Sequence, residues 1–481
     1  MFFSTHLARL YFVTGAMLCL ISLNASAQNN KKQYPVPDQV PDTGKIGFPV
    51  MPLSQDTGQY LTLRQCIDYA MVHQPALNQS LISTDIARTS NAINLAAWLP
   101  QVNASGNLIH YIQQPNNNIS TSTGSGSATG TTTGTAIRSN YANTFVPELS
   151  ITQSIVSPGL LYAAKSAPLL VKQAKQVTDS TKIYLVSSVS KAFYNVLLTL
   201  QQINVLKEDT TRLGKSLRDA YHQYKGGIAD ETDYLQATIT LNNSKTQLKQ
   251  AKENIVPQYA ALKQLMGYEP DKQFNVSIDT VQMMNDIRID TGKRLQYENR
   301  IEYQQIQTRK DLQAQLTSYY KYAFLPTVAG FFNYGLQFGN NHFPDLLSNS
   351  YPSSSVGLSL SIPIFTGFAR THNIHRSLLQ EQLISWDETN LKLGIYKDYA
   401  TSLANYKSNL YSFQEQQKNV GMAKRVYFVV NLQYKQGVVA YLNVITAESN
   451  LITAEINYTN SLFQLLSSKV DLQKAMGDIT Y

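Results

Sequence analysis

The sequence predicts a mainly α-helical, internally duplicated chain that contributes four strands to a membrane β-barrel. Three observations predict it. A long helical pattern runs into Trp98-Leu99-Pro100, and a second runs into Phe324-Leu325-Pro326. After each, the pattern turns strand-like, crosses a turn-rich loop, returns as a strand and enters a long helix. Two later landmarks also recur, each at an offset of 210 residues. Tyr224-Lys225-Gly226-Gly227 pairs with Tyr434-Lys435-Gln436-Gly437, and Leu265-Met266-Gly267 pairs with Ala475-Met476-Gly477. A helix–strand–strand–helix–helix unit is therefore written twice.

Residues 1–27 read as a secretory signal: Arg9 supplies the basic start, Leu10 to Leu23 the apolar run, and Ala25-Ser26-Ala27 an A-x-A cleavage site. Cys19 invites a lipoprotein reading, but Leu18 precedes it where a small residue is expected. Residues 28–59 hold Pro35, Pro37, Pro41, Pro49 and Pro52 and read as an extended leader. The first copy spans 60–267. Its opening helix, 60–97, carries Leu63, Ile67, Ala70 and Leu77 and is kinked or split by Pro75. Pro100 ends the helix. Strands at 101–113 and 141–156 flank a loop at 114–140 rich in Asn, Ser, Thr and Gly.

Pro158 opens a helix expected to run to about Tyr221, with a seam of Ile183, Val186, Val189, Phe193, Val196, Leu200 and Ile203. Steps of three and four make that seam coiled-coil-like. Gly226-Gly227 turns the chain, and a helix returns to Gly267. Residues 268–296 are an irregular connector. The second copy, 297–477, repeats the plan, with Ile395, Tyr399, Leu403, Tyr406, Leu410 and Phe413 on its long helix and a turn at Gly437. Residues 478–481 are a tail.

The strands carry the membrane argument. Val356, Leu358, Leu360, Ile362 and Ile364 alternate with Ser355, Gly357, Ser359, Ser361 and Pro363. Val328 to Phe338 alternates likewise, and Leu149, Ile151 and Ile155 alternate with Ser150, Thr152 and Ser154. Period two gives one apolar and one small polar face. Tyr111, Tyr141, Phe145, Phe324, Phe365 and Phe368 suit interfacial girdles. A soluble antiparallel sheet is the competing reading, but the flanking helices are too long and polar to cover it. Four strands cannot close a barrel, and lipid forbids open edges. Three chains supply twelve strands, a barrel wide enough for a lumen.

At this point the residues resemble the TolC-like outer membrane efflux protein family. The features are the helix–Leu-Pro–strand junctions at Pro100 and Pro326, the strand-to-helix breaks at Pro158, Pro363 and Gly367 within Ser359-Leu360-Ser361-Ile362-Pro363-Ile364-Phe365-Thr366-Gly367, the Tyr-Lys-x-Gly turns and the Met-Gly helix ends. The resemblance implies a homotrimeric twelve-stranded outer-membrane barrel continued by an α-helical periplasmic barrel, with the connector near its equator. It implies a passive exit duct in a tripartite efflux or type I secretion system, serving a periplasmic adaptor and an inner-membrane pump. It places the loops at 114–140 and 339–354 outside the cell. The turns at Gly226, Gly227 and Gly437 fall at the periplasmic tip, where family members close the channel. By position the first copy offers Asp230, Glu231 and Asp233 there. The second carries Asn443 and Thr446 where the best-known members carry aspartates, a departure that counts against a cation-selective acidic ring in the second copy. Capping of the returning helix is the plainer role for Asp230 and Glu231.

Other classes fare worse. The formal charge is +8, but the 40 basic residues are spread along the helices, which excludes a nucleic-acid stripe. His372 and His375 share a helix face without a third ligand. Cys66 reads as a buried apolar residue. No nucleotide-binding loop, nucleophile elbow or zinc-protease motif is present, so neither an enzyme nor a cofactor is expected. The alternative is a secreted pore-forming or adhesin-like helical protein without a pump, against which the paired strand units argue.

Overall fold

The computed structural model describes residues 60–113, 141–277, 287 and 294–480. The signal, the leader and the loop at 114–140 lie outside the described residues, as does most of the connector.

A two-residue strand β1 (Tyr60–Leu61) leads into α1 (Leu63–His73) and α2 (Pro75–Ala96). Thr62 caps α1 reciprocally with Gln65, each side chain bonding the other's backbone N–H. Pro75 splits the expected helix, because Gln74 before it is extended. Both opening helices stop short of their prolines. α2 ends at Ala96 and the second copy's α5 (Ile301–Tyr322) at Tyr322, four residues upstream of Pro100 and Pro326. Leu99 N donates to Ala96 O at 2.9 Å and Leu325 N to Tyr322 O at 3.0 Å, so a turn absorbs the residues that a following proline bars from the helix.

The strands are β2 (Gln101–His110), β3 (Asn143–Val156), β5 (Thr327–Asn340) and β6 (Ser350–Ser361). They form one antiparallel sheet in the order β2-β3-β5-β6. Three expectations are corrected. β2 stops at His110. The loop expected at 339–354 shrinks, since β5 reaches Asn340 and β6 begins at Ser350. β6 itself ends at Ser361, so Ile362 and Ile364 leave the ladder. Its partner β5 begins only after Pro326 and pairs Thr327 with Ser361, and Pro363 has no N–H to give.

Each hairpin of strands feeds a long helix. α3 (Pro158–Lys225) has 68 residues and α6 (Ala369–Lys435) has 67, each about 100 Å long. α3 outruns its expected end, and Pro168, in its third turn, does not stop it. α4 (Glu231–Met266) and α7 (Tyr441–Met476), 36 residues each, fold back along them. Such helices are held by packing rather than by propensity. On α3, Val186, Val189, Phe193 and Val196 are buried, and on α6, Ile395, Tyr406 and Phe413. An 18-residue window of α3 is apolar enough to cross a membrane, yet half of it is buried within the chain, so its apolarity serves the seam. α3 is the hub: α1, α2, α4, α5 and α7 all pack on it.

The main core lies where α1, mid-α3, the end of α4 and β4 (Asn275–Val276) meet. It buries Cys66, Leu77, Val189, Phe193, Leu262, Met266 and Phe274. The connector is not wholly irregular: β4 pairs in parallel with β1, locking the entry of the first copy to its exit. A second core joins α6 to α7 around Tyr406, Phe413, Leu465 and Leu472, where Tyr406 Oη donates to Ile287 O at 2.8 Å.

Two glycines end the returning helices in the left-handed region, Gly267 at φ 66° and Gly477 at φ 73°. A Cβ at Gly267 would stand 2.5 Å from His73 O, and one at Gly477 would stand 2.6 Å from Asn299 O. Gly227 has the same handedness (φ 69°) but open space around it. Gly267→Ala should therefore cost about 1–3 kcal/mol, more than Gly227→Ala, which bears only the left-handed backbone cost of about 1 kcal/mol. Thermal unfolding of the two variants decides; equal midpoints contradict the close-approach argument.

Candidate functional site

Backbone register sorts the sheet into two faces. On one lie Val102, Ala104 and Leu108 of β2, Phe145, Leu149 and Ile151 of β3, Val328, Phe332, Tyr334, Leu336 and Phe338 of β5, and Val356, Leu358 and Leu360 of β6. The other presents Asn103, Ser105 and Asn107, then Ser150 and Thr152, then Asn333 and Gln337, then Ser353, Ser355 and Ser359. Cross-strand partners share a face, so the alternation seen along each strand becomes a largely apolar sheet surface, with Ser350 and Ser354 on it where β6 pairs with Phe338 and Tyr334. Glu148, on the polar face, is the only acidic residue in these four strands. The apolar face is open: Val356 is 82%, Leu358 72% and Leu360 63% exposed. No layer among the described residues covers it. A bulge between Ser154 and Val156 shifts the register where β3 approaches α3.

The aromatic residues stand at both ends of the strands. Phe145 and Phe338 stack at 6.1 Å near the loop end. Phe365 and Phe368 meet edge-to-face at 5.5 Å at the helix end, and the Arg370 guanidinium lies over Phe324. The two strand-to-helix junctions differ. Pro158 takes the first position of α3 after extended Ser157, whereas Gly367 and Phe368 both adopt positive φ before α6.

At the opposite end the hairpin turns share one geometry. Ile228 N donates to Gln223 O and Val438 N to Gln433 O, both at 2.9 Å, across left-handed Gly227 and Gly437. Gly226 is ordinary right-handed backbone (φ −78°), so only the second glycine of the pair is required. The two tips pack together through Ala220, Ala237, Tyr434, Tyr441 and Val444. Tyr434 Oη donates to Gln223 Oε1 at 2.5 Å, and the Ser216 and Tyr441 hydroxyls lie 3.0 Å apart.

The tip carboxylates fall on one turn. Asp230 caps α4, its Oδ1 accepting from Glu231 N at 2.8 Å. Asp230 and Glu231 are exposed; Asp233 is half-buried, and burial, with Asp230 nearby, raises its pKa above the ordinary aspartate value. Burial and the Asp233 charge also push the Tyr434 phenol up to about 12. Asn443 and Thr446 are exposed on the first turns of α7, and Thr446 Oγ1 donates to Leu442 O. The structure thus joins the three acids on one helix start and leaves Asn443 and Thr446 on another.

Elsewhere, His372 and His375 are exposed near the start of α6, and the described residues hold no cluster able to ligate a metal. Burial pushes the Cys66 thiol up to about 12, which keeps it protonated and unreactive. The sequence reading missed a buried charged group between the hairpins: Asp209 and Arg212 on α3 facing Glu448 and Glu455 on α7. Its signal was available, since Glu448 follows apolar Val444 by one helical turn on the packed face of α7.

Comparison with known proteins agrees with this geometry. Residues 66–268 and 298–478 match the outer membrane efflux protein family. Outer membrane protein TolC of Vibrio cholerae is 19% identical over 342 residues, covering 69% of this chain and 76% of that one. Protein CyaE of Bordetella pertussis is 24% identical over 368 residues, covering 73% and 71%. The outer membrane protein VceC of Vibrio cholerae shares the fold at a TM-score of 0.66 with 15% identity, covering 86% of this chain and 96% of that one. Two matched blocks, one per copy and together most of its length, show that the chain belongs to the outer membrane efflux protein family: it is an outer-membrane channel and not an enzyme.

Proposed function

We propose that three copies of the chain close a twelve-stranded barrel in the outer membrane, and that their helical hairpins continue it as one passive duct across the periplasm. A single observation carries this reading: a four-stranded sheet with one largely apolar face and, among the described residues, two unpaired edges. In hydrocarbon each edge must find another strand, and β2 of one copy meeting β6 of the next satisfies both. The polar face then lines the lumen. In this arrangement the signal at residues 1–27 exports the chain, the loops at 114–140 and 341–349 face the exterior, and the Gly227 and Gly437 turns mark the periplasmic tip. A periplasmic adaptor and an inner-membrane pump engage that end, the pump choosing the cargo of an efflux or type I secretion system. Asp233 from three copies makes a ring of carboxylates that focuses the field on passing ions. Asp230 and Glu231 act as helix caps. Asn443 and Thr446 make the second copy's contribution neutral.

The test is the mass of protein cross-linked in outer membranes and extracted in mild detergent. A trimer supports the shared barrel, and a stable monomer refutes it.

Two variants probe the parts separately. Val356→Arg places a charge on the apolar face at the middle of β6, at a cost of about 2–4 kcal/mol near mid-membrane, so trimer yield should fall sharply; normal yield contradicts the outward assignment. Asp233→Ala should assemble normally and change single-channel conductance or cation preference; unchanged channel behaviour leaves Asp233 a surface residue.

A further inference from the structure

The seam between the two helical hairpins holds more negative charge than it can neutralise. Asp209 and Glu448 have side chains only 1% exposed, and Glu455 has 11%. One guanidinium, Arg212, serves all three at 3.5, 3.6 and 3.8 Å, none of them a short bond. The other elements packed here add little. From α4, Ser244 Oγ donates to Asp209 Oδ2 at 2.6 Å. From α6, Lys424 pairs with Glu455 at 3.3 Å from the surface, and the Tyr427 phenol is pushed up to about 12, which keeps it neutral. Asp209 and Glu455 therefore have partners of their own. Glu448 does not: neither of its oxygens has a hydrogen-bond partner, although both are buried. An isolated buried carboxylate is costly enough that protonation is the usual escape.

We propose that Glu448 is a proton-binding site within the α3–α7 seam, and that loss of its proton loosens the packing of one hairpin against the other. Burial first, then the neighbouring Asp209 charge, raises the Glu448 carboxyl to about 7, against the lowering pull of Arg212. Asp209 moves in the same direction for the same leading cause. The packed seam thus binds a proton that the separated seam releases at the ordinary glutamate value of 4.5. Its stabilisation is complete below that value. It falls as pH rises through about 7 and is flat above. Glu448 stands one helical turn beyond Val444 of the tip packing, and both it and Asp233 act on the Tyr441 phenol and raise its pKa after burial.

Hydrogen exchange of the full-length protein in mild detergent, read along residues 205–216 of α3 and 444–459 of α7, tests it. After correction for the intrinsic exchange rate, wild-type protection should fall by up to about tenfold per pH unit between pH ~5 and ~7. Glu448→Gln mimics the protonated acid. It should remove that slope and match or exceed wild-type protection at pH ~8. A slope retained in Glu448→Gln overturns the proposal. If that variant fails to assemble, the wild type decides: a slope confined to the seam supports the proposal, and protection flat from pH ~5 to ~8 overturns it.

Discussion

A strand edge in hydrocarbon has nowhere to place its backbone hydrogen bonds, and the rest of this structure depends on that constraint. β2 and β6 are the edges of the four-stranded sheet, which exposes an apolar face that no helix among the described residues covers. In the proposed trimer, sharing a barrel removes the edges and sets the chain's helices around a ring. Once the strands stand in a ring, each α-helical hairpin inherits a position on it. The helices then have to pair with neighbours along their whole length.

That pairing explains the division of labour among helices. α3 and α6 are too long to be wrapped by one globular core, so each is stitched to a shorter antiparallel partner by a seam of apolar residues. The seams are apolar at mid-length, aromatic and tyrosine-rich at the tip, and charged between the two hairpins. Apolar stretches favour permanent contact. A seam that buries unbalanced carboxylates is a weaker joint, and it lies where hairpin meets hairpin rather than within either one.

Much of this was legible in the residues. The faces of β5 and β6 follow directly from alternation, because period two leaves no choice once one face is apolar. The left-handed turns were marked by glycine, and the α3 and α6 seams by spacing. What escaped has a common cause: pattern shows which face is buried, not what it meets. Nothing local announces that Tyr434 reaches Gln223, that β4 pairs with β1, or that Asp209 and Glu448, far apart in sequence, converge on Arg212. Boundaries slipped where a partner strand set them, as when β6 stopped at Ser361 because β5 starts at Thr327. At the tip, Asp230 as a helix cap was readable from its position; the burial of Asp233 was not, nor that its charge acts on Tyr434 of the other copy.

The two glycine closures have a consequence for how such a chain is assembled from parts. Gly267 brings the end of the first copy against His73 near its own beginning, and Gly477 brings the end of the second against Asn299 near its beginning. Each copy is thus a loop that starts and stops at one level. A module with that property can be tandemly joined without re-routing either member, because the splice only bridges neighbouring points.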